Sequence, residues 1–216
     1  MVLGAGAVLL ALVLGNLLGS IFFPLVHSRM FPWITGRGFG IAAYLDLTLL
    51  VFSGIWFRHP WRRIHPVIAP QVQLQIHRLL AFGVVVFTLV HVVALSADSF
   101  AHVGWMGAFV PGAAAYRPFA IALGTLSLYL GVIIFGSAAW AGRLFGSSWV
   151  RIHHGAVAVF ALAWFHGVLA GSDTPVLRPM YLVTGLAVVL LLLSRFFVTG
   201  DFLPPDDVLE PAREGP

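Results

Sequence analysis

Long uncharged stretches separated by short polar ones set the pattern of this chain. Six of them reach the roughly 20 mostly apolar residues that a helix needs to cross a hydrocarbon layer. They are residues 2–26, 39–57, 77–97, 118–140, 152–170 and 180–198. Apolar positions run on continuously within each instead of alternating with polar ones, which selects helix over the strand of a closed barrel. His59-Pro60-Trp61-Arg62-Arg63 and Asp173-Thr174-Pro175 break the pattern. The expected fold is an all-α, integral membrane six-helix bundle. Residues 1–200 read as one domain. Residues 201–216, with four Pro and five acidic residues, read as a short, polar, disordered cytoplasmic tail. No internal repeat is visible, and no G-x-G-x-x-G after a strand marks a flavin or nicotinamide domain.

Composition sharpens this picture. Sixty per cent of the 216 residues are hydrophobic and 9% are charged, against about 25% charged in soluble domains. The first stretch lacks a basic start and exceeds the apolar core of about 7–15 residues found in signal peptides, so it reads as a retained helix. All twelve basic residues are Arg. With the N-terminus inside, Arg58, Arg62, Arg63, Arg78, Arg143, Arg151, Arg195 and Arg213 fall inside, and Arg29, Arg37, Arg117 and Arg178 outside. Eight against four places both termini in the cytoplasm. The net charge of +4 thus reads as topology, with lipid and not nucleic acid as the partner. The absence of Cys removes disulfides, iron–sulfur clusters and covalent haem attachment.

Nine His bring candidate chemistry. His77, His91, His153, His154 and His166 fall within or at the ends of spans. His27, His59, His65 and His102 fall in or beside loops. Ionisable groups in a membrane are costly and are functional candidates by default. His77 and His91 lie 14 residues apart on the third span, and His153 and His166 lie 13 apart on the fifth. At 1.5 Å per residue each gap is about 20 Å, and the two spans run in the same direction. His77 is therefore level with His153, and His91 with His166. Two pairs at two depths suit two stacked haems between the third and fifth helices, each iron taking one imidazole from each helix. On an ideal helix 14 residues return to within about 40° of the starting face, whereas 13 land about 140° away and the 12 from His154 to His166 about 120° away. The wheel leaves open whether His153 or His154 pairs with His77.

His77-Arg78 with His91, and His153-His154 with His166-Gly167, resemble the ferric reductase-like transmembrane domain family, which includes the membrane part of NADPH oxidases. Gly36-Arg37-Gly38, Tyr116-Arg117-Pro118 and the run Gly124-Thr125-Leu126-Ser127-Leu128-Tyr129 also resemble stand-alone bacterial members. The likeness covers all but the tail. It implies two non-covalent haem b groups, a bacterial-type inner (plasma) membrane, and His153 as the inner ligand with His154 its neighbour. It implies an oxidoreductase membrane subunit that moves electrons from the inner haem (His77 and His153) to the outer (His91 and His166). The chain lacks the fused flavin and nicotinamide region of the oxidases, so the donor would be a separate flavin/NAD(P)H reductase or a quinone. The acceptor outside would be a ferric chelate, dioxygen or a periplasmic redox protein. In the last case the chain would resemble the haem-binding membrane partner of a periplasmic reductase.

Haem propionates need cationic partners. Arg78 adjoins a ligand on the inner side; Arg37 and Arg117 are the outer candidates. Asp46 is the acidic residue well inside a span; proton movement, an Arg partner, a ligand-His partner and a cross-helix hydrogen bond are all open to it. Phe82, Phe87, Phe160 and Trp164 lie between the two His levels, mostly as packing. Trp33, Trp56, Trp140 and Tyr181 fit an interfacial aromatic belt. The stretch 98–117 reads as a solvated loop, with capping of the outer haem, and contacts from His102 or Met106, as alternatives. Two other functions compete: a quinone-linked b-type cytochrome of a respiratory complex, which also grips two haems between His pairs, and a transporter whose His bind metal or protons.

Overall fold

The computed structural model of the chain describes residues 27–57, 59–61, 68–140 and 149–197. The first expected span and the tail lie outside them. Regular structure among the described residues is entirely helical: α1 (Phe31–Phe57), α2 (Pro70–Ser96), α3 (Gly104–Phe109), α4 (Pro118–Ala139), α5 (Trp149–His153), α6 (Ala156–Ala170) and α7 (Thr174–Phe197). Five helices are long and apolar enough to cross a membrane, α5 and α6 counting as one. The chain is a multi-pass membrane protein.

Several helices begin before their apolar run does. α1 starts at Phe31 and α2 at Pro70, not at residues 39 and 77. Hydropathy marks only the part of a helix that meets hydrocarbon, whereas the helix itself continues into the polar layer. Proline explains where α2 and α4 begin: Pro70 and Pro118 hold their first positions, where a missing N–H costs nothing. Pro175, expected to break the chain, instead lies in the first turn of α7, whose first free amides, Val176 and Leu177, donate to the Asp173 carbonyl at 2.9 Å each.

The bundle is assembled from two antiparallel hairpins. α1 packs along α2, and α4 along α6; α1 also touches α6 and α7. Small residues allow the close approach. On α1, Gly36 and Gly40 form a small-x-x-x-small pair whose surface is covered by Leu95 and His91 of α2. On α4, Gly124 and Gly131 meet His166 and Val159 of α6. The core between the hairpins is built from Tyr44, Leu47, Val51, Ile55, Ile134, Val159, Phe160, Tyr181 and Val188. α2, which carries His77 and His91, is not closely packed on α5, which carries His153, or on α6, which carries His166.

Residues 98–117 depart from the expected solvated loop. Ala101, Val103 and Ala114 are buried with Trp33 and Ile121. α3 folds back along α4: the Ala108 carbonyl accepts from Thr125 Oγ1 at 3.0 Å, and the Phe109 carbonyl accepts from the Tyr129 hydroxyl. Thr125 lies eight residues beyond Arg117, about 12 Å along the helix axis, so the segment folds back along about two turns of α4. Carbonyls at a helix end lack intrahelical partners, and an unmet one in hydrocarbon costs several kcal/mol. Thr125 and Tyr129 supply the missing donors. The reversal at the tip is close, with Gly107 pressed on Ala114 so that a Cβ would stand 2.8 Å from the Ala114 Cα.

Candidate functional site: two facing imidazole pairs

The structure brings His77 to His153 and His91 to His166. The ring centroids are 6.1 Å apart in the first pair, with planes at 62°, and 6.2 Å apart in the second, with planes at 80°. The first pair bridges α2 and α5 and the second α2 and α6, at two depths. His153, not His154, faces His77; His154 is exposed. The reason lies in a break between α5 and α6. Around His154 and Gly155 three bonds are of the i→i−3 kind: Gly155 to Ile152 at 2.9 Å, Val157 to His154 at 3.4 Å, and Ala158 to Gly155 at 2.9 Å. Each such step turns the chain by about 120° instead of about 100°. Three steps add about 60° and cut the mismatch of the 13-residue gap from about 140° to about 80°, a difference within reach of side-chain torsion.

The Nδ1 edge of each imidazole decides what the other nitrogen can do. His91 Nδ1 donates to the Gly36 carbonyl at 2.6 Å, and His166 Nδ1 to the Ala120 carbonyl at 2.8 Å. A carbonyl only accepts, so in both rings Nδ1 carries the proton. His77 Nδ1 lies 2.8 Å from Ser53 Oγ, whose own proton goes to the Leu50 carbonyl at 2.8 Å; His77 Nδ1 is again the donor. Three of the four rings therefore keep an unprotonated Nε2, the form that binds a metal ion, with the tautomer held by a partner outside the ligand shell. His153 Nδ1 is buried and has no hydrogen-bond partner among the described residues.

Glycine seats two of these rings. A Cβ on Gly40 would stand 2.6 Å from His91 Nδ1 and 2.8 Å from Cε1; on Gly124 it would stand 2.7 Å from His166 Nδ1 and 2.8 Å from Cε1. In both hairpins the carbonyl that takes the Nδ1 proton belongs to the residue four before the glycine, Gly36 before Gly40 and Ala120 before Gly124. Sequence reasoning missed Gly40, Ser53, Ala120 and Gly124 as seats. The small-residue spacing Gly36/Gly40 was a readable signal; Ser53 and Ala120 carried none.

The arginine candidates are distributed unevenly. Arg37 pairs with Asp173 and its guanidinium stands 5.5 Å from the Trp33 ring centroid, while its buried Nε has no partner among the described residues. Arg117 adopts a left-handed backbone (φ 41°) and donates to the Leu169 carbonyl at 2.6 Å. Both stand at the end of the bundle nearer His91 and His166. Arg78 is exposed next to His77. The Asp46 carboxylate lies against the Gly83 backbone, with neither an Arg nor a His partner among the described residues.

Other residues take structural places. Phe160 stacks on Tyr44 and Trp164 donates to the Tyr181 carbonyl at 2.8 Å, while Phe82 is exposed and Phe87 meets Phe39. Trp33 and Tyr181 are buried and do not form part of an aromatic belt; Trp140 is exposed. His102 and Met106 are exposed. His59, expected in a loop, is 2% exposed. Its Nδ1 accepts from the Trp61 amide at 3.3 Å, so Nε2 donates to Ser194 Oγ at 3.0 Å, tying the end of α1 to α7.

The chemistry of the donor set can be weighed against the groups it would suit. A metal–imidazole bond of about 2.0 Å on each side, plus about 1.1 Å from nitrogen to ring centre, separates two axial ring centres by about 6 Å, as in both pairs. A bare transition ion held by protein alone asks for three or four ligands. No group of three or more His, Cys, Asp or Glu side chains suited to a metal occurs among the described residues. Two opposed imidazoles suit an iron whose other four positions are filled by a macrocycle, and the residues fit a bis-imidazole haem at each level. Known protein families, characterised proteins and solved structures give no match to the chain.

Proposed function

We propose that this chain is a transmembrane electron-transfer protein of ferric reductase type, with two b-type haems held one above the other by His77 with His153 and by His91 with His166. The observation that carries the reading is the recurrence, at two depths, of facing imidazoles spaced for axial ligation, three of the four with Nδ1 committed as a donor. Each haem iron, when bound, supplies a one-electron carrier. The protein contributes the rest. Histidines from two different hairpins hold each level, glycines admit the rings against the helix backbones, and hydrogen bonds fix the tautomers. Arg37 and Arg117, at the end of the bundle nearer His91 and His166, are the candidate partners of outer propionates, although Arg37 is paired with Asp173 and Arg117 with the Leu169 carbonyl, and Arg78 is the inner candidate. With both axial positions taken by imidazole, an acceptor would be reduced at a haem edge and not at the iron. In this reading the apolar stretch 2–26, which lies outside the described residues, is the expected sixth span, both termini are cytoplasmic in a bacterial-type inner membrane, and the electrons come from a separate flavoprotein or a quinone.

The test is haem content with oxidised and dithionite-reduced spectra of the detergent-purified protein. About two extractable haems per chain with a six-coordinate low-spin spectrum are expected, and one fewer in each of His91→Ala and His153→Ala. A colourless protein from haem-replete cells defeats the reading and favours a metal or proton transporter.

A further inference from the structure

The four ligand imidazoles are not supported alike. His91 and His166 each donate Nδ1–H to a main-chain carbonyl, which no substitution can remove. At the other level His77 donates to a side chain, Ser53 Oγ, which passes its own proton to the Leu50 carbonyl one turn away on α1. His153 Nδ1, its opposite number, has no partner among the described residues. Among the described residues the chain from His77 through Ser53 to Leu50 is thus the one hydrogen-bonded support at that level, and it hangs on a single hydroxyl. Gly54, beside Ser53, also lies against the ring, where a Cβ would stand at contact distance, 3.4 Å from His77 Cε1.

We propose that Ser53 is a positioning residue which, acting through His77, sets the redox potential of the inner site; this rests on the haem reading above. An imidazole that donates Nδ1–H to a good acceptor gains anionic character at Nε2 and becomes a stronger ligand. A stronger ligand favours ferric over ferrous iron in the one-electron couple and lowers its potential. Loss of such a partner typically weakens metal binding by about ten- to a hundredfold. The lower figure, taken as a change in ferric-over-ferrous preference, is about 59 mV for one electron.

The experiment is a spectroelectrochemical titration of the detergent-purified, haem-loaded full chain, with His91→Ala protein identifying the inner wave as the one that persists. In Ser53→Ala the inner midpoint rises by about the tenfold equivalent while the outer wave stays in place. Ser53→Thr, which keeps a hydroxyl, restores the wild-type midpoint. If the alanine variant sheds the inner haem, Ser53→Cys makes the same comparison, because sulfur is a weaker acceptor; its inner wave should also rise. Two bound haems with an unmoved inner wave, or both waves displaced alike, overturn the role of Ser53 and leave the electron-transfer reading standing. Wild-type protein that takes up no haem overturns both.

Discussion

Gly40 and Gly124 are where single residues matter most. Each lies so close to an imidazole that a methyl group would overlap it, and the ring cannot retreat without losing its Nδ1 bond to Gly36 or Ala120. Overpacking of this kind costs about 1–3 kcal/mol. Gly40→Ala and Gly124→Ala are each expected to lose the outer haem and keep the inner one, read as one haem per chain with an unchanged inner midpoint; two normal haems in either variant would refute the seating role. His59 makes a different prediction. Burial, and then the nearby Arg195 charge, hold its pKa below the usual imidazole value, so the folded protein favours the neutral ring. Its stabilisation is complete above about pH 6.5 and is lost as pH falls below that. Thermal stability should drop on acidification below about pH 6.5, and less steeply in His59→Gln. The depths of His77, His91, His153 and His166 were legible in the sequence, because depth follows from residue count. The choice of His153 over His154 was not, because it depends on the local overwinding at Gly155.

Among the elements, α3 differs most from its expected form. Stretch 98–117 is rich in small and aromatic residues but too short of hydropathy to register as a span. It folds back on α4, where Thr125 and Tyr129 meet its terminal carbonyls. Removing the buried Thr125 hydroxyl leaves the Ala108 carbonyl unmet, at a cost of about 1–3 kcal/mol. Thr125→Val is expected to loosen α3 and to speed proteolysis within residues 110–116 of protein in nanodiscs. Cleavage at the wild-type rate would show that the hydroxyl does not hold the segment. The five described spans, by contrast, were all found from hydropathy, with their C-terminal ends placed to within one residue, though α1, α2 and α7 begin six to eight residues earlier than expected.

In the molecule as a whole, one construction occurs twice. In α1–α2 and again in α4–α6, a histidine of the second helix rests on a glycine of the first and bonds the carbonyl four residues earlier. The sequence shows no repeat, because neither loop lengths nor the other side chains correspond; only the contact geometry recurs. If each level binds a haem through one histidine of α2 and one of α5 or α6, as proposed, removal of either histidine should empty that level completely. His77→Ala, His153→Ala and the double variant are expected to share one spectrum and one remaining midpoint. Additive losses across the three would argue for ligands other than these.

What could be read along the chain was what depends on distance along it: the apolar lengths that become spans, and the 14- and 13-residue intervals that put two histidines at matching depths on parallel helices. Rotation about a helix axis, the identity of the neighbour across an interface, and the burial of a polar segment depend on which other helix approaches and how closely. The Nδ1 partners Gly36, Ser53 and Ala120, the glycine seats, the folding back of α3 and the burial of His59 all belong to that second kind. Most arise where the two helices of one hairpin close on each other, and the His59–Ser194 contact where α1 meets α7.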